Sequence, residues 1–204
     1  MLTTQYRMVP ALSEFPRRIY AGAFVDGDNV MGISRPPRGF TWPRPDFPLC
    51  VLHSPHEEVN DASGSLHNPG EAHIVASIVR QMRGAGVPKE DMAVLTGYAG
   101  QARAIQALVG ESVEVFVLDR FQGQERAVII FTVVRSNEAG RLGFLSDRRR
   151  MNVALTRARR GLIVICNTST LGQDQRSWKC WLNWAEGHHV VQSAAVHVRA
   201  ELCD

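Results

Sequence analysis

One apolar run, Ala127 to Val134, constrains the fold of this chain more than any other segment. A run of that length, bounded by polar residues, reads as a strand. A strand that is apolar along its length, rather than at every second position, must be covered on both faces. Strands of that kind belong to parallel sheets sandwiched between helices. Gly161 to Cys166 is a second such run. Both fall far short of a membrane span, and no signal-peptide pattern opens the chain.

Helical patterns alternate with the strands. Leu2 to Tyr20 reads as a loop and then a short helix, with Leu12, Phe15 and Ile19 at helical spacing. Ala21 to Phe47 is punctuated by Gly and Pro and reads as an extended surface excursion, spanning residues 21–48, with little regular structure. Leu49, Val51 and Leu52 make a short strand, and Asp61 to His67 reads as a loop. Asn68-Pro69-Gly70-Glu71 is a helix start: Asn68 caps, Pro69 takes the first helical position, and Glu71 falls where a capping box places a carboxylate. Ile74, Ile78, Val79 and Met82 form that helix's buried stripe, and Gly84 and Gly86 end it. Strands are expected at Met92–Thr96 and Val113–Leu118, with a helix at 100–109 between them. Ser146 or Asp147 caps a helix running to about Arg159, stopped by Gly161. A last helix carries Trp178, Trp181, Leu182 and Trp184 as core residues, and the tail runs from Gly187. This alternation predicts a three-layer α/β sandwich with a mostly parallel sheet. Asp119 to Arg126 is short for a parallel crossover, so the strands on either side of it are read as parallel or antiparallel.

The 204 residues suit one domain or one lobe of a larger machine, with 45% hydrophobic and 21% charged residues. Cys50, Cys166, Cys180 and Cys203 form no CxxC pair, which disfavours zinc ribbons and disulfide scaffolds and suits a reducing compartment. His188 and His189 lack a third ligand at metal spacing, so no metal site is assigned. Net charge is only +3, yet of 23 basic residues all but Lys89 and Lys179 are arginine. Arg148, Arg149, Arg150, Arg157, Arg159 and Arg160 fall in one short segment. Arginine forks suit phosphate oxygens, so a phosphate-rich partner is expected.

Ligands of open α/β sheets bind beyond the carboxyl ends of the strands. The segments following the strands are polar and contain glycine: Gly97-Tyr98-Ala99-Gly100-Gln101, and Asp119 through Glu125. Several parts of a self-sufficient nucleotide hydrolase are missing. There is no GxxxxGK[ST] loop, no Asp-Glu pair after a strand, no GxGxxG and no GxSxG. Spacing by itself supports an α/β lobe that contributes arginines to a shared phosphate site.

The motifs go further. Gln5-Tyr6-Arg7-Met8-Val9-Pro10 resembles the Q-Y-R-M-H-P motif of superfamily-1 helicases of the nonsense-transcript regulator type. Asp119-Arg120-Phe121-Gln122-Gly123-Gln124-Glu125 looks like their D-x-F-Q-G-x-E motif. The stretch from Gly143 through Asp147 and Arg149 to Asn152-Val153-Ala154-Leu155-Thr156-Arg157-Ala158 is similar to G-F-L-x-D-x-R-R-x-N-V-A-L-T-R-A. Weaker echoes are Asn68-x-x-Glu71-Ala72, Thr96-x-Tyr98-x-x-Gln101 and Val134-Arg135-Ser136-Asn137, in the family's order, over residues 2–170.

That resemblance implies the second RecA-like lobe, residues 1–186, of a 5′-to-3′ ATP-dependent helicase with a P-loop NTPase fold but no P-loop of its own, followed by a tail at 187–204. The family binds ATP with Mg2+ between two lobes, the N-terminal lobe supplying the P-loop and the magnesium ligands. On this resemblance Arg7 and Arg157 match the γ-phosphate arginines, and Tyr6 matches an aromatic residue near the base and ribose. Glu125 matches a carboxylate that contacts the ribose or links the nucleotide to neighbouring arginines. Gln122 and Gly123 match a segment coupling nucleotide state to the nucleic-acid groove, and Thr96 and its loop match a segment near the bound strand. The implied partners are the N-terminal lobe and single-stranded RNA or DNA, with no membrane. Localisation is then cytoplasmic or nuclear. Arg149 or Arg150 is expected to pair with Asp147 or Glu138.

Three positions depart from the family pattern. Val9 replaces a usual His. Gly97 replaces a usual Pro, which implies a looser loop. Val117 stands where Ser or Thr is common and removes a hydroxyl that would bond a nucleic-acid phosphate. The nucleotide-facing residues are thus better kept than the strand-facing ones. With no P-loop, the chain is expected to be an inactive fragment on its own, Met1 standing directly before the first motif. The alternative is a non-catalytic nucleic-acid-binding or interaction module derived from a helicase.

Overall fold

The computed structural model describes residues 3–19, 22, 24–32 and 36–195. Met1, parts of the 21–48 excursion, and residues 196–204 of the tail with Cys203 lie outside the described residues. In chain order the elements are β1 (Thr4–Gln5), α1 (Pro10–Ile19), β2 (Val25–Asp26), α2 (Asp28–Met31), β3 (Leu49–His53), β4 (Val59–Asn60), β5 (Leu66–His67), α3 (Pro69–Gly84) and β6 (Met92–Thr96). They continue with α4 (Ala99–Val109), β7 (Glu114–Val117), β8 (Arg126–Thr132), α5 (Arg148–Leu155), β9 (Ala158–Cys166), α6 (Thr168–Leu171), α7 (Trp178–Gly187) and β10 (Val191–Ser193).

The central sheet has the order β10-β3-β9-β8-β6-β7, and every pairing in it is parallel. Alternate side chains of a strand point to opposite faces. In β8, Val128 and Ile130 join the core under α3 and α4, with Ile74, Ile78, Met82 and Ile105. Ile129 and Phe131 join the opposite core under α1, α5 and α7, with Leu12, Met151, Leu155, Trp178 and Trp181. All four β8 side chains are fully buried. This is the expected three-layer α/β sandwich with a parallel sheet. The tryptophans of α7 are core residues, and Trp178 Nε1 donates to the Leu145 carbonyl at 2.8 Å.

The structure corrects several sequence expectations. The antiparallel option around 119–126 is wrong, because β6 lies between β7 and β8. Residues 118–125 cross β6 on the α1 and α5 face, anchored by buried Leu118 and Phe121, and they run from the carboxyl end of one strand to the amino end of another. The helix expected to reach Arg159 stops at Leu155, and β9 begins at Ala158, so Arg159 and Gly161 belong to a strand. Asp61–His67 is not wholly loop: Leu66–His67 pairs antiparallel with Val59–Asn60.

The excursion is more than a surface feature. Phe40, Trp42 and Phe47 are buried, and the Trp42 ring lies where a side chain on Gly161 would be, 2.7 Å from its ideal Cβ position. The expected tail also joins the fold, since Val191–Ser193 pairs parallel with β3.

Glu71 does not complete a capping box. Asn68 caps α3 by accepting the Glu71 N–H at 3.0 Å, but Asn68 N–H donates to Gln101 Oε1 at 2.8 Å. The Glu71 carboxyl turns inward and accepts from the Thr132 hydroxyl and, at 2.9 Å, from Val134 N–H. Gln101 Nε2 donates to Thr132 Oγ1 at 3.1 Å. Val134 has a φ of 73°, rare for a β-branched residue, and its bond to Glu71 holds that turn. The weaker motif echoes thus build one buried polar network below the carboxyl ends of β6 and β8.

Candidate functional site

Gln5 shapes the segment that presents Tyr6 and Arg7. Its Oε1 accepts Arg7 N–H at 3.0 Å and Met8 N–H at 2.9 Å, and its Nε2 donates to Met8 O at 2.7 Å and Asp26 Oδ1 at 2.6 Å. Tyr6 is 65% exposed. Its ring rests on Gly27, where a Cβ would come within 2.3 Å of the ring carbons. Glycine at position 27 leaves room for one side of the ring while most of the side chain stays open, which suits stacking against a planar ligand.

Arg7 turns toward residues far along the chain. Its Nε donates to the Glu125 carboxylate and its Nη1 to the Thr156 carbonyl at 3.2 Å. Arg157 follows α5, where carbonyls at a helix end favour a cation. Its Nε donates to Val153 O at 3.2 Å and its Nη2 to Thr156 Oγ1 at 2.9 Å. Burial, and then the nearby charge of Arg7, lower the Arg157 pKa, while Glu125 opposes the fall. Arginine stays charged at any working pH. Two guanidinium groups therefore share one carboxylate, and the surplus positive charge favours an anion. Gln122 and Gly123 stand exposed just before Glu125, on a turn closed by Gln124 N–H to Phe121 O at 3.1 Å, where Gly123 supplies a φ of 84°.

The site lies at the opposite edge from the one that open α/β sheets suggest. Glu125 precedes β8 and Arg157 precedes β9, and Arg126 N–H bonds Arg157 O at 3.2 Å. The arginine pair is thus at the amino ends of these strands. Thr96 ends β6 at the carboxyl edge, roughly 15 Å or more away for a five-residue strand. It is fully buried, with Oγ1 accepting Tyr98 N–H at 3.4 Å, so its hydroxyl is not presented for the strand contact expected of it. The accessible members of that loop are Tyr98, which is half-buried, and Ala99, which is exposed.

Gly97 does not loosen its loop. It is buried, and an added Cβ would meet the Phe144 ring at 2.4 Å. Val9 is buried and its N–H donates to Arg159 O at 2.9 Å, so its apolar side chain serves the core. Arg150 pairs with Asp119 at 3.2 Å, not with Asp147 or Glu138, and lies over the Phe144 ring at 5.0 Å. Asp147 instead caps α5 through Arg149 N–H at 2.8 Å.

Sequence reading missed Thr156, which bonds both arginines through two different oxygens; its place beside Arg157 was the available signal. It also missed Glu58, which pairs with Arg135 at 2.9 Å and accepts Ser136 N–H at 2.7 Å, organising the carboxyl edge. Glu58 sits in a stretch with no motif. Among the described residues no three His, Cys, Asp or Glu side chains gather to hold a metal, and no helix is long and apolar enough to cross a membrane.

Comparison with known proteins agrees with the motifs. A family described as "AAA domain" matches residues 1–169. The regulator of nonsense transcripts 1 of Caenorhabditis elegans is 39% identical over 188 residues, covering 84% of this chain and 17% of that protein. Its homolog in Neurospora crassa is 40% identical over 182 residues, covering 83% and 17%. The ATP-dependent helicase NAM7 of Saccharomyces cerevisiae is 35% identical over 185 residues, covering 85% and 19%. The chain spans less than a fifth of the length of each of these relatives.

Proposed function

The chain belongs to the AAA domain family and is a relative of the regulators of nonsense transcripts, and from that premise we propose that it is the second RecA-like lobe of an ATP-dependent RNA or DNA helicase. The observation that carries this reading is the convergence of Arg7 and Arg157 on Thr156, with Glu125 as their shared counter-charge. Such a pair has no evident use in a plain binding module. It suits a site where negative charge builds up on a transferring phosphoryl group.

In this reading Arg7 and Arg157 aim their donors at the γ-phosphate, and Tyr6 offers its open ring to the base. Glu125 fixes the direction of Arg7 and stands within reach of a ribose hydroxyl. The P-loop and the magnesium carboxylates come from an N-terminal lobe, and no cluster among the described residues of this chain replaces them. ATP with Mg2+ would supply the phosphoanhydride to be cleaved and a divalent charge to offset its phosphates. Residues 118–125, with Gln122 and Gly123, run from the carboxyl edge, beside Thr96, to the arginine edge. That path joins nucleotide state to a single-strand groove at the carboxyl edge. A helicase of this kind works in the cytoplasm or the nucleus.

The test is ATP hydrolysis by this chain alone and by the chain joined to an upstream P-loop lobe, with and without single-stranded RNA. The expected result is hydrolysis only in the joined protein, abolished by Arg157→Ala. A joined protein with an intact P-loop that binds RNA but never hydrolyses ATP would favour a non-catalytic nucleic-acid-binding module instead.

A further inference from the structure

At the ends of α1 and α5 remote from the arginine pair, the two helices and the start of α7 enclose a cleft of about 270 Å³. Its floor is Phe15, Ile19, Met151 and Trp184, and its rim carries Arg18, Arg148 and Arg176. Among the described residues no carboxylate lines it. Arg18 pairs with Glu14 at 2.9 Å. Arg148 and Arg176 are exposed and have no ion-pair partner among the described residues.

Ser177 is an independent sign of a missing ligand. It holds the N-cap position of α7, yet its hydroxyl makes no cap bond. The residue is 6% exposed, its Oγ is buried without a hydrogen-bond partner, and it lines the cleft. Buried hydroxyls are nearly always paired, so an acceptor oxygen entering the cleft meets a waiting donor.

The chemistry favours a peptide over a nucleic-acid strand. Single strands bind on open aromatic faces, but Trp184 is 8% exposed, packs on Phe15 at 5.2 Å between ring centroids, and donates its Nε1–H to Glu14. The cleft has the size of one large side chain, ringed by cations. We propose that it docks an acidic peptide segment of a partner protein. One large apolar side chain enters onto the Phe15 and Met151 floor, flanking carboxylates meet Arg148 and Arg176, and one oxygen accepts the Ser177 hydroxyl. Paired charge around a single apolar anchor is a common interface pattern.

The probe is a fluorescein-labelled pentapeptide, Glu-Asp-Phe-Asp-Glu, followed by anisotropy at low salt with this chain. The expected result is saturable binding, weakened at least tenfold by Arg148→Glu with Arg176→Glu and by Gly in place of the peptide's Phe. Both arginines are exposed, so an unchanged melting curve shows that the variant is folded. The exposed thiol of Cys180 also lines the cleft, and the unlabelled peptide should slow its reaction with a maleimide. Absent binding, equal binding by the folded double variant, or unchanged Cys180 labelling at saturating peptide overturns the proposal. Displacement of the peptide by oligouridylate at equal concentration overturns it in favour of a nucleic-acid surface.

Discussion

Arg7 donates its Nε–H to the carboxylate of Glu125, a residue 118 positions further along the chain. The two side chains are about one-third exposed, so the pair contributes less than ~1 kcal/mol to stability. On the proposed function its role is to point a guanidinium, because without Glu125 the two cations share only the neutral oxygens of Thr156. Glu125→Gln in the joined two-lobe protein should cut kcat by roughly tenfold or more while leaving the melting temperature nearly unchanged. A lower melting temperature with unchanged kcat would make the pair purely structural.

Arg157 feels the charge of Glu125 but makes no hydrogen bond to an acid among the described residues, and it rests on neutral oxygens of Val153 and Thr156. Arg157→Ala should reduce kcat in the joined protein by ~10³–10⁵-fold, the range seen for arginine fingers. Arg157→Lys should recover only part of it, since an ammonium cannot keep both oxygens and still reach a phosphate. Steady-state hydrolysis with ATP binding measured separately checks this, and equal loss of affinity and of rate would argue against a transition-state role.

Glu71 gives the fold a pH dependence of definite sign. Burial raises its carboxyl to about 7, against the bonds from Thr132 and Val134, with the charge of Glu58 adding to the rise. The unfolded chain gives up this proton in the ordinary range, about 4–5, while the folded chain keeps it until about pH 7. This group's contribution is therefore complete below the ordinary range and is lost as pH rises through 7, by about 3 kcal/mol at most. Melting curves from pH 5 to pH 8 should show a falling trend that Glu71→Gln flattens. An unchanged slope in the variant would assign the trend to another group.

Trp42 closes the α3 side of the core from within the Gly- and Pro-rich excursion. It stacks edge-on with Phe40 at 4.9 Å, donates Nε1–H to Pro37 O at 2.9 Å, and covers Gly161. Trp42→Ala should cost about 3–5 kcal/mol, read as a lower denaturation midpoint. A loss under ~0.5 kcal/mol would return the excursion to the surface.

Val117 is in register with Thr96 at the carboxyl edge of the sheet. Val117→Thr supplies a hydroxyl beside the proposed strand groove. It should strengthen binding of single-stranded RNA by the joined protein a few-fold, at little cost to stability because the site is only partly buried. Filter binding at fixed salt reads this directly, and unchanged affinity would place the strand elsewhere.

Much of this molecule follows from sequence because much of it is local. The apolar run from Ala127 and the capped start at Asn68 specify their elements through periodicity and capping, which act over a few residues. The motif segments likewise single out Arg7, Glu125 and Arg157 as one group before any coordinate is known, and the fold brings these side chains together. Strand order is different in kind. That β6 lies between β7 and β8 depends on how a whole sheet packs, and no local pattern around Asp119 encodes it. The same holds for Glu71, whose spacing fits a capping box equally well; only the closeness of Thr132 and Val134 in the folded sheet turns its carboxyl inward. Trp42 and Val191 join the core and the sheet through partners more than a hundred residues away. The arginine pair lies at the amino edge for the same reason. Sequence chose the residues, and the parallel crossovers, with the bonds to Thr156 that they make possible, decided where those residues meet.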